Sequence, residues 1–104
     1  MNNKCVGITA EYNPFHNGHL YHLEQSKLAT GAQISVAAMS GNFVQRGHMA
    51  ICSKWERAEA AVKCGIDLVV EIPTVFACNS APVFASAAVE ILENLGADWI
   101  SFGS

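Results

Sequence analysis

Four short runs of apolar residues recur along the chain, each bounded by residues that favour turns. Apolar side chains occupy both faces of these runs, which is the pattern of parallel strands covered by helices on both sides. We therefore predict four buried strands, at Cys5–Ala10, Ile34–Met39, Leu68–Ile72 and Trp99–Phe102.

The segments between these strands show helical patterns. The first helix is predicted over about residues 18–29, the second from Ser53 and the third from about Ser80. Ser53 and Glu56 stand in the S-x-x-E relation of a capping box, which favours a helix start there. The side chains predicted to line the buried helix faces are Leu20, Leu23 and Leu28 in the first helix, Trp55, Ala58 and Val62 in the second, and Phe84, Ala88, Ile91 and Leu95 in the third.

Each predicted helix ends with a glycine that leads into the next strand through a short turn. The three exits are 31–33 (Gly-Ala-Gln), 65–67 (Gly-Ile-Asp) and 96–98 (Gly-Ala-Asp). A left-handed glycine is a common helix ending and suits such a junction. The resulting alternation predicts an α/β fold with a parallel sheet, right-handed crossovers and helices on both faces. Because the first strand of a doubly wound sheet is central, we expect the strand order 3-2-1-4.

Ligands of such sheets bind at the carboxyl ends of the strands, so the loops that follow the strands are the candidate functional segments. These loops cover residues 11–18, 40–52, 73–80 and the chain from 103 onward. The loop at 40–52 spans thirteen residues, whereas such connections usually take about 2–6. Its length favours a functional role.

Composition and charge narrow the class of protein. The 104 residues fit one domain, and 51% hydrophobic against 14% charged residues excludes a disordered chain. Six Lys and Arg residues against nine Asp and Glu residues give a net charge of −3, which argues against a broad basic surface for a polyanion. Any nucleic acid would be contacted locally.

The four cysteines are too far apart for a C-x-x-C pair or a zinc-type spacing. We expect reduced thiols with no disulfide partner. The chain enters its first strand without a signal-peptide pattern and has no apolar stretch of membrane-spanning length. We therefore expect a cytoplasmic protein with no membrane contact.

The loop after the first strand carries two histidines at the predicted start of the first helix. Pro14 and the Asn17-Gly18 pair favour a tight turn, and Gly18 lets backbone approach a ligand closely. There His16 and His19 can place imidazole N–H donors on phosphate oxygens, beside the positive end of the helix dipole. The H-x-G-H pattern is short, but its position directly after a first strand strengthens it. The patterns G-x-x-x-x-G-K-[ST] and G-x-G-x-x-G do not occur, which argues against a Walker-type ATPase and a dinucleotide-binding enzyme.

A metal site is the alternative interpretation of these histidines, because His16, His19 and His22 recur at three-residue intervals. The outer two would diverge by about 120° around a helix, and a metal site would still need Cys, Asp or Glu ligands. We therefore favour phosphate contacts and predict no metal. His22 is expected to face solvent or to pack against the sheet.

Four of the six basic residues lie in one third of the chain, namely Arg46, Lys54, Arg57 and Lys63. Basic side chains near a helix N-terminus suit phosphate binding, and we expect Arg46 to be functional. For Lys63 we expect an ordinary solvated helix charge that pairs with a nearby glutamate. Glu71, at the end of the third strand, either caps a loop or contacts solvent at the functional edge.

Several longer motifs match a known family. Residues 7–8 and 11–19, the run 40–47 (SGNFVQRG), the run 53–57 (SKWER) and the final FGS resemble the N-terminal part of bacterial tRNA(Met) cytidine acetate ligases. The match covers essentially the whole chain in the same order. It is far more specific than H-x-G-H, which all members of the nucleotidyltransferase superfamily share.

This resemblance implies a Rossmann-like nucleotidyltransferase fold and an enzyme. The family uses ATP, with Mg²⁺, to activate acetate as acetyl-adenylate and releases pyrophosphate. It then transfers the acetyl group to N4 of the wobble cytidine of elongator tRNA(Met), which gives N4-acetylcytidine. Carried over to this chain, His16, His19 and Arg46 would act in catalysis. The residues that would contact ATP are Thr9, Ala10, Glu11, Tyr12, Asn13, Pro14, Phe15, His16, Asn17, Gly18, His19, Leu20, Tyr21, His22 and Gly103.

Two features limit the match. Family members usually carry an acidic residue where this chain has His48, and they continue well past Ser104. We therefore interpret residues 1–104 as one ATP-binding domain at the N-terminus of a longer protein, with tRNA contacts mainly beyond residue 104. Two other functions stay open: a different H-x-G-H adenylyltransferase that acts on a cofactor precursor, and a nucleotide-binding fragment without turnover. The long match at 40–52 favours the ligase.

Overall fold

Strands and helices alternate along the chain in the computed structural model, which describes residues 3–12, 15–41, 53–73 and 81–102. The strands are β1 (Cys5–Ala10), β2 (Ile34–Ser40), β3 (Leu68–Ile72) and β4 (Trp99–Phe102). The helices are α1 (Asn17–Thr30), α2 (Lys54–Lys63) and α3 (Ala81–Asn94). Every predicted strand and helix is confirmed, with ends that shift by one or two residues.

The four strands form a parallel sheet in the order β3-β2-β1-β4, as predicted. β1 pairs with β2 along its whole length, from Cys5 opposite Ile34 to Ala10 opposite Met39. At the other side of β2, Ser40 pairs with Ile72, the last residue of β3. The carboxyl ends of these strands therefore lie at one edge of the sheet.

Each face of the sheet carries its own apolar core, because alternate side chains of a strand point to opposite faces. On β2, Ala37 and Met39 pack with α1 and α2, whereas Val36 and Ala38 pack with α3. The helices contribute Leu23 of α1, Ala61 of α2, and Ala88 and Leu92 of α3 to these cores. A sheet covered on both faces explains why its central strands are largely apolar.

The buried faces of the helices differ in part from the prediction. Four side chains that were expected to be buried are largely exposed, namely Leu28 (77%), Trp55 (75%), Val62 (50%) and Leu95 (46%). In their place α1 buries Ser26 beside Leu23, and α2 buries Arg57 beside Ala61. Ser26 and Arg57 can be buried because their side chains form hydrogen bonds there. A pattern of apolar residues does not reveal such partners.

The three helix exits share the same backbone conformation and the same kind of hydrogen bond. Their glycines adopt the left-handed conformation, with φ of 70° at Gly31, 118° at Gly65 and 90° at Gly96. Two residues later, a side-chain oxygen accepts a backbone N–H at the start of a neighbouring strand. The three bonds join Gln33 Oε1 to Lys4 N at 2.9 Å, Asp67 Oδ2 to Ser35 N at 2.8 Å, and Asp98 Oδ2 to Cys5 N at 2.9 Å. The repeated exit sequence thus anchors each strand to the one beside it.

Cys5 is a buried free thiol and Cys64 an exposed one, whereas Cys52 and Cys78 lie outside the described residues. Burial, followed by the charges of Asp98 and Asp67, raises the pKa of the Cys5 thiol, so this thiol stays protonated at neutral pH. Within the described ranges, no helix combines the length and the apolarity that a membrane crossing requires.

Candidate functional site

The N-terminus of α1 is capped by two histidines that exchange hydrogen bonds with the backbone. His16 is the N-cap residue, with φ −142°, and its Nδ1 accepts the N–H of Gly18 at 3.0 Å. The N–H of His16 in turn donates to Nδ1 of His19 at 3.1 Å. This is a capping box in which imidazoles replace the usual Ser or Thr and Glu or Gln.

The capping bonds set which nitrogen of each ring carries a proton. A nitrogen that accepts an N–H carries no proton of its own, so the neutral form of each ring that fits the cap has its proton on Nε2. Burial, followed by the nearby His16 and His22, lowers the pKa of His19, which favours the same neutral form. Neither Nε2 has a hydrogen-bond partner among the described residues, and the two rings stack with centroids 3.9 Å apart. The helix N-terminus therefore presents two adjacent N–H donors.

Gly18 is required for this arrangement. A Cβ atom at this position would lie 2.8 Å from Cε1 of His16, closer than Cβ contacts in proteins allow, and 3.1 Å from its Nδ1. Any side chain here would push the imidazole of His16 off the backbone N–H that it accepts. The glycine of H-x-G-H thus makes room for the first histidine.

The buried ring of Tyr12 packs against His19. Its side chain is 2% exposed, and its ring centroid lies 4.9 Å from that of His19 and 4.7 Å from that of Phe15. Burial raises the pKa of the Tyr12 phenol to about 12, so it stays neutral. The backbone of Tyr12 has φ 51°, the left-handed region that a bulky residue rarely enters and that costs about 1–3 kcal/mol. Such local strain is typical of functional sites.

Arg57 of α2 lies beneath the same edge of the sheet and is 1% exposed. Its Nη1 donates to the carbonyl of Glu11 at 2.6 Å and to that of Ser40 at 3.1 Å, and its Nη2 donates to the carbonyl of Gly41. The sequence pattern groups Arg57 with the basic residues suited to phosphate. The structure instead places its guanidinium on backbone carbonyls at the ends of β1 and β2, a role that no sequence signal distinguished.

The other basic residues of α2 form ion pairs. Lys54 Nζ lies 2.9 Å from Glu71 Oε1. The carboxylate of Glu71 also packs against Gly41, where it leaves no room for a Cβ atom. Glu71 thus pairs with α2 across the functional edge while its side chain stays exposed. Lys63 pairs with Glu59 at 2.9 Å on the solvated face, which confirms the prediction for Lys63.

His22 bonds to the edge strand β4 and not to the helix cap. Its Nε2 is 2.9 Å from Ser101 Oγ on β4, and Ser26 Oγ lies 2.7 Å from the same hydroxyl. This chain of bonds ties α1 to the edge strand of the sheet, as expected for a histidine that packs against the sheet. In the described ranges, no group of three or more His, Cys, Asp or Glu residues is placed to hold a metal ion.

The remaining predicted site residues are distributed as follows. Thr9 and Ala10 form the end of β1, and Glu11 follows them directly. Asn17, Leu20 and Tyr21 lie in the first turns of α1, with Tyr21 65% exposed. Asn13, Pro14, Arg46, His48 and Gly103 lie outside the described residues.

A separate groove lies between the end of β3 and α3. It is lined by Pro73, Pro82, Val83, Ala87 and Ile91, among others. None of the predicted site residues that the structure describes lines it, so the groove is separate from the histidine cap.

Residues 3–104 match the family described as HIGH Nucleotidyl Transferase. The chain belongs to this family. Membership agrees with the H-x-G-H residues at the start of α1, with the sheet order 3-2-1-4 and with the two donors that the capping box leaves available. The nucleotidyltransferase-like fold that the resemblance implied is confirmed.

Individual relatives and a solved structure narrow the similarity. The chain is 57% identical over 101 residues to the tRNA(Met) cytidine acetate ligase of Caldicellulosiruptor saccharolyticus, covering 97% of this chain and 25% of that protein. It is 58% identical to the ligase of Pediococcus pentosaceus, of which it covers 28%. Thermotoga maritima TmcAL bound with alpha-thio ATP superposes with a TM-score of 0.86 at 48% identity, covering 90% of this chain and 23% of that one. The predicted resemblance is confirmed, and the chain spans about a quarter of these relatives.

Proposed function

We propose that the chain binds ATP with its phosphates at the N-terminus of α1. The observation that carries this proposal is the pair of Nε2–H donors on His16 and His19, which the capping box leaves unused and holds side by side. The first turn of α1 contains no acidic residue, so nothing in it offsets the positive end of the helix dipole. Backbone and imidazole donors at a helix N-terminus are a common anion site. The Thermotoga maritima relative bound with alpha-thio ATP supports the same ligand.

We further propose that residues 1–104 are the ATP-binding part of a tRNA(Met) cytidine acetate ligase. In the first step, an acetate oxygen attacks the α-phosphorus of ATP. Acetyl-adenylate forms, and pyrophosphate is the leaving group. In the second, N4 of the wobble cytidine of elongator tRNA(Met) attacks the acetyl carbonyl, AMP leaves, and the amine loses a proton to give N4-acetylcytidine. The names of the relatives, at 57% and 58% identity, support this activity.

The protein's contribution to the first step is electrostatic and geometric. The imidazole N–H groups of His16 and His19 stabilise charge that builds on the phosphate oxygens, and Arg46 adds positive charge from the long loop. No side-chain nucleophile is needed, because acetate itself is the nucleophile and only has to be held in line with the leaving pyrophosphate. Mg²⁺ would neutralise part of the phosphate charge of the bound ATP.

Other H-x-G-H enzymes use the same kind of ATP site for a different reaction. They transfer the AMP group to a phosphorylated cofactor precursor. The acetate ligase is favoured because the match to it runs through the whole chain. A reaction on tRNA also places the protein where tRNA is found, and we propose the cytoplasm. The tRNA would be contacted mainly by regions beyond residue 104.

The test is acetate-dependent exchange of labelled pyrophosphate into ATP, followed by transfer of labelled acetate to elongator tRNA(Met), with the longest gene product that contains this chain. We expect both reactions, and we expect the transfer to need ATP. A phosphorylated cofactor precursor replaces acetate in the parallel reaction. Exchange that depends on the precursor and ignores acetate would overturn the ligase in favour of an adenylyltransferase.

A further inference from the structure

The guanidinium of Arg57 joins two strand ends that the site depends on. Nη1 bridges the carbonyls of Glu11 and Ser40, at 2.6 and 3.1 Å, and Nη2 reaches the carbonyl of Gly41. A planar fork can hold several acceptors in fixed directions, whereas a lysine ammonium acts as a point charge on a flexible stem. The contacts with Ser40 and Gly41 are buried, and the contact with Glu11 is part-buried. Arg57 therefore sets the position of the chain after β1 relative to the chain after β2.

The contact with Glu11 acts on one particular peptide unit. The Glu11 carbonyl belongs to the peptide that joins Glu11 to Tyr12, and its direction is coupled to the φ angle of Tyr12. That angle is 51°, in the left-handed region where a bulky side chain is strained. Strained backbone persists when surrounding contacts over-determine it. The bond from Arg57 is a contact of this kind, because it holds the carbonyl in the direction that the left-handed Tyr12 requires.

Tyr12 transmits this constraint to the histidines. Its buried ring meets His19 edge-on at a centroid distance of 4.9 Å, and Phe15 packs against both rings at 4.7 and 5.4 Å. His19 in turn accepts the N–H of His16 through Nδ1. A change in the Tyr12 backbone would therefore move the ring that orients the His19 donor.

We propose that Arg57 is a positioning residue that holds Tyr12 in its left-handed conformation and thereby orients the Nε2–H of His19. The residue itself is buried, and the hydrogen bonds described above direct its guanidinium to the carbonyls at the strand ends. Its effect on a ligand is therefore indirect. The consequence for ATP rests on the proposed function, whereas the consequence for the His19 ring does not.

Two substitutions separate positioning from simple core filling. Arg57→Lys keeps the charge and most of the stem but loses the fork, and Arg57→Met removes the charge while it keeps apolar volume. Hydrophobic replacement of buried charged groups is often tolerated, so the pair protects against a variant that does not fold. Lys63→Met is the matched control, because it removes a cation from the exposed face of the same helix.

The first readout is the ¹⁵N spectrum of the histidine side chains without ATP, measured on the longest gene product that contains the chain. In the unsubstituted protein and in Lys63→Met, we expect the His19 ring to show a single tautomer with its proton on Nε2. In both Arg57 variants we expect a mixture of tautomers. A core residue that only stabilises the fold would leave the tautomer of the folded protein unchanged.

The second readout is the Kd for ATP and for adenosine. We expect both Arg57 variants to weaken ATP about tenfold, the effect of one supporting hydrogen bond of ~1.4 kcal/mol, with a smaller loss for adenosine. A folded variant with the original His19 spectrum would overturn the proposal, and so would failure of both variants to fold, which would make Arg57 a residue of the folding core. A changed His19 spectrum with unchanged ATP affinity would instead count against the phosphate site while the positioning role stands.

Discussion

At the scale of single residues, the site depends on the different roles of the two nitrogens in each imidazole. Nδ1 of His16 and of His19 serves the helix cap, and Nε2 is left as a donor. Substitution by alanine would remove both functions together. Asparagine at an N-cap and glutamine three residues later are ordinary capping residues, so they can retain the cap and remove the donor.

We predict that His16→Asn and His19→Gln each weaken ATP by roughly 1–3 kcal/mol, the scale of a lost hydrogen bond to a charged group. Adenosine, which lacks phosphates, should bind almost unchanged. Calorimetry with both ligands measures the difference. Lys63→Met is the control, because its side chain lies on the solvated face of α2 and pairs there with Glu59. Equal losses for ATP and adenosine would make the capping histidines purely structural.

The same cap gives a pH dependence of stability. The pKa of His19 is lowered in the folded protein by burial and by His16 and His22, while an unfolded histidine titrates near pH 6.5. As the pH falls below about 6.5, the unfolded chain takes up the proton first, so the free energy of unfolding decreases. Protonation of Nδ1 would also break the bond from His16 N.

We therefore predict that the free energy of unfolding is larger at pH 8 than at pH 5.5, and that His19→Gln reduces this difference. Urea unfolding curves at a series of pH values provide the measurement. The two proteins should have parallel profiles above pH 7, where histidine is neutral in both the folded and the unfolded chain. Parallel profiles below pH 6.5 as well would show that His19 does not contribute.

Sequence alone indicated these two histidines, because an H-x-G-H run directly after a first strand places both imidazoles at a helix N-terminus. It did not show that they cap the helix, since imidazoles rarely fill both positions of a capping box. Arg57 was out of reach for a different reason. Its partners include the backbone carbonyls of Glu11, Ser40 and Gly41, and backbone groups leave no trace in the residue pattern.

At the scale of elements, the helix exits were the most informative pattern. The glycines predicted the turns, and the polar residue two positions later fastens a neighbouring strand. The order of the sheet followed from the alternation of elements. The buried faces of the helices were predicted less accurately. Where a helix packs closely on a sheet, small or hydrogen-bonded residues such as Ala61 and Ser26 are buried in preference to larger apolar ones.

We predict that Asp98→Ala lowers the free energy of unfolding by about 1–2 kcal/mol, because the N–H of Cys5 loses its acceptor at the start of the central strand. Asp98→Asn keeps an acceptor oxygen and should cost less. Gln33→Ala removes the equivalent, more exposed bond to Lys4 and should also cost less. Urea unfolding measures all three. An equal loss in the asparagine and alanine variants would show that the charge matters more than the bond.

At the scale of the whole molecule, the chain has few cations to offer a nucleic acid. Of its six basic residues, Lys54 and Lys63 are paired with glutamates, Arg57 is buried on carbonyls, and Lys27 lies 3.4 Å from the carbonyl of Gly65. The net charge of −3 opposes a polyanion further. RNA binding generally needs several phosphate contacts, each with a free cation. The relatives that carry the ligase name are about four times as long, which leaves ample chain for that task.

We predict that the isolated 104-residue chain binds ATP at most weakly and transfers no measurable acetate to tRNA, whereas a full-length relative modifies the wobble cytidine. The assay is incorporation of labelled acetate into elongator tRNA(Met) in the presence of ATP and Mg²⁺. Adding the isolated chain to the full-length enzyme, at equal concentration, controls for an inhibitor in the preparation. Turnover by the isolated chain would contradict the charge argument, because the cations left to it would then suffice to recognise tRNA.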